Sequence, residues 1–219
     1  TINMIKDLSK IVCHCQRNWE YTPIPNEHID AIVDAGRNMP TKQSTKSYTI
    51  VKITNPKVIS TMYEQSYEPK DQNYGANTQV DAPLLLAFLI NETVTRNEPI
   101  RPIKFGENHK ERKLKAKNAN LGITSMEIGI SAGACALQAA EFGYKTGFCI
   151  CMSDPEMMLE TILGKSSKDY KLTLLLGIGK PVPDLAHNVK KSRTKTYSHR
   201  HEGEPSTTYK KKIHVISIT

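Results

Sequence analysis

Residues 82–90 read Ala-Pro-Leu-Leu-Leu-Ala-Phe-Leu-Ile, a continuous apolar run with no polar face to turn toward water. The run is too short for an independent helix, and residues 83–90 therefore predict a central strand covered on both faces. Residues 172–178 predict a second buried strand, and residues 48–53 and 146–151 predict two more. These segments place a sheet at the centre of the fold.

Helical patterns alternate with these strands. Apolar spacing and capping residues predict helices near residues 3–15, 26–36, 56–63, 123–142 and 154–163, with Asn26 and Asp154 as caps. The segment 123–142 is unusually rich in glycine and alanine, so that another helix can approach it closely, and Gly143 is its natural stop. The expected fold is α+β, with a mixed central sheet and helices on both faces.

Composition excludes several classes of protein. The chain has 219 residues, of which 38% are hydrophobic, enough for a core without disulfides. Its apolar runs fall far short of the roughly 20 residues that a bilayer span needs, and no signal-peptide pattern is visible. Five cysteines are an odd and sparse set. We therefore expect a reducing, cytoplasmic location and no membrane partner.

The net charge of +8 is concentrated in two segments. Residues 104–117 and 189–219 carry six and eight Lys/Arg, each against two Glu. Basic segments attract phosphates of a nucleotide cofactor or of a nucleic acid, although each lysine alone is most simply solvated surface. Nucleic-acid binding is disfavoured because the first segment offers only Phe105 for stacking.

Common catalytic motifs are absent from the sequence. Residues 177–180, Gly-Ile-Gly-Lys, follow a predicted strand but lack the third glycine and the helix of a dinucleotide-binding turn. No nucleophile stands near a candidate base in any familiar motif. If the protein is an enzyme, we expect a cofactor to carry the chemistry.

The order of several short motifs, over about residues 4–193, resembles the FMN-dependent nitroreductase family. Residues 13–17, Cys-His-Cys-Gln-Arg, match the family's basic N-terminal element, and residues 40–48 match its Pro-Ser-x-x-Asn-x-Gln-Pro-Trp turn. Ala82-Pro83 enters the central strand as in the family, and residues 129–143 resemble its small-residue dimer helix. Lys191-Ser192-Arg193 matches the closing Lys-x-Arg and is the most specific of these matches.

The resemblance implies a homodimer with FMN at the interface, NAD(P)H as co-substrate and a small electron-poor acceptor, such as a nitroaromatic or a quinone. Reduction would follow a ping-pong hydride mechanism. The flavin-binding residues implied are Cys13, His14, Cys15, Arg17, Pro40, Thr41, Lys42, Ser44, Asn77, Phe148, Cys149, Ile150, Cys151, Lys191 and Arg193. Arg17, Lys191 and Arg193 suit the flavin phosphate, because charge-assisted guanidinium bonds are the strongest available to it.

The same resemblance divides the chain. Residues 1–195 form the flavin domain, within which residues 91–118 are a polar excursion with one short charged helix that caps the substrate pocket. The lysines of this excursion would favour an anionic acceptor or a phosphorylated nicotinamide cofactor. Residues 196–219 form a C-terminal tail, whose β-branched segment 213–218 predicts a strand that pairs with the partner subunit.

Several positions depart from the family pattern. Cys13 stands where relatives have Arg, Cys15 where they have Ser, and Ser44 where they have Asn, which leaves the strength of FMN binding open. The cysteines pack or line the flavin in our interpretation; a metal site or a redox pair is the alternative. Other FMN chemistry, such as dehalogenation or flavin breakdown, and a non-catalytic flavin or nucleic-acid binding module remain alternative functions.

Overall fold

The computed structural model of the chain describes residues 4–13, 15–66, 77–92 and 109–182. Its helices are α1 (Met4–Val12), α2 (Asn26–Arg37), α3 (Pro56–Gln65), α4 (His109–Glu141) and α5 (Pro155–Leu163). Its strands are β1 (Trp19–Glu20), β2 (Tyr48–Ile53), β3 (Leu84–Asn91), β4 (Lys145–Cys149) and β5 (Tyr170–Pro181). Short 3-10 turns occupy Lys42–Ser44 and Gly164–Asp169.

The strands form one sheet with β5 and β3 at its centre. The strand order is β1-β5-β3-β2, and β4 also pairs with β5. Every pairing between the described strands is antiparallel. A parallel strand that would make the sheet mixed, as we expected, is not among the described residues.

Both faces of the sheet are covered, as the unbroken apolar run of β3 predicted. Leu84, Leu86 and Phe88 pack in a cluster with side chains of α2 and α4. Leu85, Ala87 and Leu89 point the other way and pack with α3 and α5. All six side chains are fully buried, so the expected α+β architecture, a central sheet between two helical layers, is confirmed.

Helix α4 is longer than its apolar pattern predicted. It begins at His109 rather than near Ile123, so the expected short charged helix of the 91–118 excursion is the first part of α4. Residues 109–118 lack apolar periodicity, and sequence pattern therefore gives no sign of this continuation. The predicted end is confirmed, since Gly143 follows with the positive φ of 82° that glycine tolerates best. None of the described helices is long and apolar enough to cross a bilayer.

Local capping explains where two other helices begin. The Asn55 side chain accepts from the Lys57 amide at 3.0 Å, and the Asp154 side chain accepts from the Met157 amide at 2.8 Å. Asp154 is therefore the cap that we predicted. Asn26 is not: it is the first residue of α2, and Pro25 occupies the cap position without a side-chain bond.

Helices α2 and α4 approach each other closely at Gly36. A Cβ at this position would clash with the Cys135 sulfur of α4. The Ser131 hydroxyl of α4 donates to the Gly36 carbonyl oxygen at 2.9 Å. This contact joins α4 to α2 on one face of the sheet.

Candidate functional site

A first group of the predicted site residues surrounds the N-terminal segment 15–18, which lies along β4. The Gln16 amide donates to the Thr146 carbonyl oxygen of β4 at 2.8 Å. The half-buried Arg17 then donates from Nη1 to the Gln79 side-chain oxygen at 2.9 Å. The Trp19 indole donates to the Thr78 carbonyl oxygen at 2.9 Å. These three bonds fix the Arg17 guanidinium group between the sheet and residues 78–79, which belong to the segment that enters β3.

Two glycines allow the segment entering β3 to lie directly on the sheet. Gly147 of β4 pairs with Gly177 of β5. A Cβ on Gly177 would clash with the Gln79 carbonyl oxygen, and a Cβ on Gly147 would clash with the Gln16 carbonyl oxygen. The glycines of the Gly-Ile-Gly-Lys stretch thus serve close packing: Gly179 likewise faces the Pro83 ring, 2.7 Å from where its Cβ would stand.

Asn77 connects the end of α3 to the residues that follow β4. It is 8% exposed, and its Nδ2 donates to the Ser66 carbonyl oxygen at 3.2 Å and to the Cys151 carbonyl oxygen. Its backbone amide also donates to the Ser66 hydroxyl at 3.2 Å. The structure therefore brings two of the predicted site residues, Asn77 and Cys151, into contact.

Cys15, Cys149 and Cys151 come together at the end of β4. The Cys15 thiol donates to the Phe148 carbonyl oxygen at 3.6 Å, and the Cys149 thiol donates to the Cys151 carbonyl oxygen at 3.6 Å. Burial raises the pKa of Cys149 to about 12. Burial of the Cys15 thiol also raises its pKa, against the opposing charge of Arg17, although the residue as a whole is exposed.

Ile150 adds an apolar surface to this group. Its side chain is 71% exposed, between the buried Cys149 and the exposed Cys151. The arrangement therefore presents a cation, an exposed aliphatic surface and backbone groups at one edge of the sheet. Among the described residues, no set of three His, Cys, Asp or Glu side chains is arranged to hold a metal ion.

A second group of predicted residues, Pro40 to Ser44, lies on α4. The Lys42 amide donates to the Glu127 carboxylate at 2.6 Å, and the Ser47 and Thr124 hydroxyls are 3.1 Å apart. The side chains of Lys42 and Ser44 are exposed. The structure thus separates the predicted site into one group near β4 and one on α4.

The remaining predicted residues cannot be placed in either group. His14, Lys191 and Arg193 lie outside the described residues, as does the tail strand 213–218. Cys13 is exposed at the end of α1, where its thiol donates to the Lys10 carbonyl oxygen at 3.0 Å.

Sequence reasoning missed two residues that organise these groups. Gln79 orients Arg17, but an isolated glutamine in a polar segment carries no sequence signal. Glu127 anchors the Lys42 turn, and here a signal existed, because it is the sole charged residue between Lys117 and Glu141. A lone carboxylate in an apolar helix stretch is buried only when it has a partner.

Comparisons with known proteins agree with this fold. The sequence model described as the Nitroreductase family matches residues 14–180. A nitroreductase family protein from Clostridium novyi NT is 14% identical, with a TM-score of 0.59 over 83% of this chain and 87% of that one. A putative NAD(P)H:FMN oxidoreductase from Staphylococcus epidermidis is 15% identical, with a TM-score of 0.62 over 82% of this chain and 88% of that one.

A third solved structure, the NADPH:FMN oxidoreductase from Vibrio harveyi in complex with NAD+, is 15% identical. Its TM-score is 0.59, over 82% of this chain and 70% of that one. No match was found among curated proteins. The solved structures share the fold, and the family match spans most of the chain from the first group of site residues to the end of β5. The chain therefore belongs to the nitroreductase family.

Proposed function

We propose that the chain is an FMN-dependent NAD(P)H oxidoreductase that reduces nitroaromatics, quinones or similar electron-poor acceptors. Bound FMN would supply the chemistry, taking a hydride from NAD(P)H and passing it to the acceptor in ping-pong order. The observation that carries this proposal is the convergence of Arg17, Gln79, Asn77 and Cys151 at one edge of the sheet. Family membership supports the choice of cofactor.

The donors at this edge fit a flavin mononucleotide. The Arg17 guanidinium can form the paired, charge-assisted bonds that a phosphate accepts best, and Gln79 fixes its direction. The exposed Ile150 side chain offers an apolar surface to a planar ring system. Neutral thiols at Cys15 and Cys149 would line the site without adding a charge.

The chain's own residues would then bind, orient and shield the cofactor. Arg17, with Lys191 and Arg193, would hold the phosphate. Asn77 would keep the segment after β4 in place, so that Cys149, Ile150 and Cys151 border the ring. No side-chain nucleophile is needed for this role.

The separate position of the Pro40–Ser44 group supports a homodimeric site. This group is fixed on α4 by the bond to Glu127. On the outer surface of α4, Met126 is 64% exposed and Ile130 is 52% exposed. A second copy packed on that surface would bring its own Lys42 and Ser44 toward the first copy's Arg17 group. Each flavin would then touch both subunits.

The direct test is the identity of the ligand that the purified protein carries. We expect a yellow protein that releases FMN on denaturation, identified by mass spectrometry. Under argon, NADH or NADPH should bleach the yellow colour, and menadione or nitrofurazone should restore it.

A colourless protein that takes up no added FMN would contradict the proposal, and nucleic-acid binding by such a protein would favour a binding module. Bleaching without reoxidation by either acceptor would favour other FMN chemistry.

A further inference from the structure

The carboxylate of Glu127 is buried beneath a basic surface turn. Its residue is 6% exposed, and it accepts a hydrogen bond from the backbone amide of Lys42 at 2.6 Å. Nothing charged lies near it in sequence on α4, from residue 118 to residue 140. A carboxylate in such a position is stabilised by the donors it receives, so it constrains the backbone that supplies them.

The turn above Glu127 has an unusual backbone. Gln43, Ser44 and Lys46 all have left-handed conformations, with φ of 57°, 54° and 47°, and none of them is glycine. Residues other than glycine avoid this region unless surrounding contacts hold them there. Some of these contacts lie within the turn, where the Lys46 amide donates to the Thr41 hydroxyl at 3.2 Å. The others come from α4, through the Glu127 carboxylate and through the Thr124 hydroxyl, which is 3.1 Å from that of Ser47.

The turn directs its side chains outward from this fixed backbone. Lys42, Gln43, Ser44 and Lys46 are all exposed, and two of the four are cationic. Met126 and Ile130, which flank Glu127 along α4, are exposed apolar residues. The lysines therefore stand beside a surface that suits a second copy of the chain.

We propose that Glu127 is a positioning residue that holds the 41–46 turn so that Lys42 and Lys46 face the phosphate-bearing flavin of the partner subunit. This inference rests on the proposed function. A buried carboxylate that does not touch the cofactor would then control how two cations approach the flavin.

Three single variants test the inference. Glu127→Ala removes the acceptor of the Lys42 amide, whereas Glu127→Gln keeps a side-chain oxygen there. Ser131→Ala is the matched control, because Ser131 is buried on the same helix and its hydroxyl also bonds a backbone group, but that group belongs to Gly36 of α2. Two readouts are needed: the dissociation constant of FMN from apoprotein, and the rate of tryptic cleavage after Lys42 and Lys46 without flavin.

We expect Glu127→Ala to raise the dissociation constant of FMN by about tenfold or more and to speed cleavage in the turn. Glu127→Gln should restore slow cleavage, and Ser131→Ala should change neither readout. If trypsin cleaves the Glu127→Ala variant faster but the dissociation constant of FMN is unchanged, the inference is wrong. It is also wrong if Ser131→Ala weakens FMN binding as much.

Two further results separate the possible failures. If Glu127→Ala does not fold, the double variant Lys42→Ala/Lys46→Ala decides, and an unchanged FMN affinity in that variant overturns the inference. If the unmodified protein binds no FMN, the proposed function fails and the inference fails with it. If the unmodified protein binds FMN and the variants match it, only the inference about Glu127 fails.

Discussion

Gly147 of β4 and Gly177 of β5 face each other in the sheet, and Gln79 lies over the space that their missing side chains leave. Gln79 is in turn the residue that orients the Arg17 guanidinium. A packing feature of two strands therefore determines where the principal cation of the candidate site stands.

We predict that Gly177→Ala destabilises the fold and weakens flavin binding together. The new methyl group would clash with the Gln79 backbone oxygen, a contact that cannot yield without moving the segment that holds Arg17. Overpacking of this kind costs about 1–3 kcal/mol in the free energy of unfolding. Chemical denaturation and FMN titration measure the two effects.

Thr146→Val is the matched control for this strand pair. The Thr146 hydroxyl is buried and has no hydrogen-bond partner among the described residues. Replacing it with a methyl group of similar size should leave the free energy of unfolding unchanged or raise it by about 1 kcal/mol. Equal losses of stability in Gly177→Ala and Thr146→Val would contradict the packing argument.

We predict that Arg17→Ala weakens FMN binding by roughly 10- to 150-fold, the range expected for one charge-assisted contact. Binding of riboflavin, which lacks the phosphate, should change far less. Arg37→Ala is the control, because Arg37 is an exposed arginine on α2 that pairs with Asp34 at 3.0 Å. Similar losses for FMN and riboflavin would show that Arg17 does not hold the phosphate.

The resemblance extends this prediction to Arg193, which lies outside the described residues. Arg193→Ala should weaken FMN binding over the same range of roughly 10- to 150-fold. An affinity equal to that of the unmodified protein would remove Lys191 and Arg193 from the phosphate site.

We predict that two buried thiols reduce the stability of the fold at alkaline pH. Burial raises the pKa of Cys135 and of Cys149 from 9.0 to about 12. Because folding favours the neutral thiols, their contribution is complete below pH 9.0 and is lost as pH rises toward about 12. The double variant Cys135→Ala/Cys149→Ala should therefore lose less stability than the unmodified protein between these values.

Denaturant unfolding at a series of pH values measures this difference, and Cys13→Ala, which removes an exposed thiol, is its control. The same burial predicts that iodoacetamide labels Cys13 and Cys151 well before Cys135 and Cys149 at neutral pH. Parallel pH profiles for the double variant and the unmodified protein would contradict the prediction.

We predict a dimer through the outer surface of α4. Within the small-residue segment 129–143, Gly129 and Gly133 face open space, whereas Ala136 is buried in the chain's own core and is not available to a partner. A Cβ at Gly133 meets no atom of the described residues within 4 Å, so we expect a loss of stability in Gly133→Leu to report contact with a second copy. Overpacking there should cost about 1–3 kcal/mol.

The variant Met126→Lys places a charge on the same surface of α4, and light scattering measures its oligomeric state. We expect this variant to shift toward monomer, because a lysine would have to be desolvated in the interface. Met157→Lys is the control, since Met157 is also an exposed methionine, at 49% against 64%, but lies on α5 at the other face of the sheet. A monodisperse monomer for the unmodified protein would refute the dimer.

We predict that truncation after Lys195 lowers the melting temperature of the dimer and causes flavin loss secondarily. Among the described residues, β2 pairs only with β3, so its second edge is available to a further strand. The segment 213–218 has the β-branched composition to occupy such an edge on the partner. If the truncated protein keeps its melting temperature, dimer affinity and flavin, the tail is a solvated appendage.

Much of the fold could be predicted from local sequence. The run at residues 83–90 predicted a strand buried on both faces, because no alternation with polar residues is possible when both faces are covered. Asp154 predicted the start of α5 and Gly143 the stop after α4, since caps act within one turn of helix. The order of short motifs indicated the family that the match to residues 14–180 confirms.

The tertiary structure alone decided how these pieces meet. The antiparallel register sets Gly147 opposite Gly177, which leaves room for Gln79, and Gln79 bonds Arg17 from 62 residues away. It likewise brings Glu127 beneath Lys42, 85 residues away in sequence. Hydrophobic periodicity and capping depend on neighbours within a few positions of the chain, so they specify elements. Contacts across such separations depend on strand register and helix packing, which no local pattern encodes.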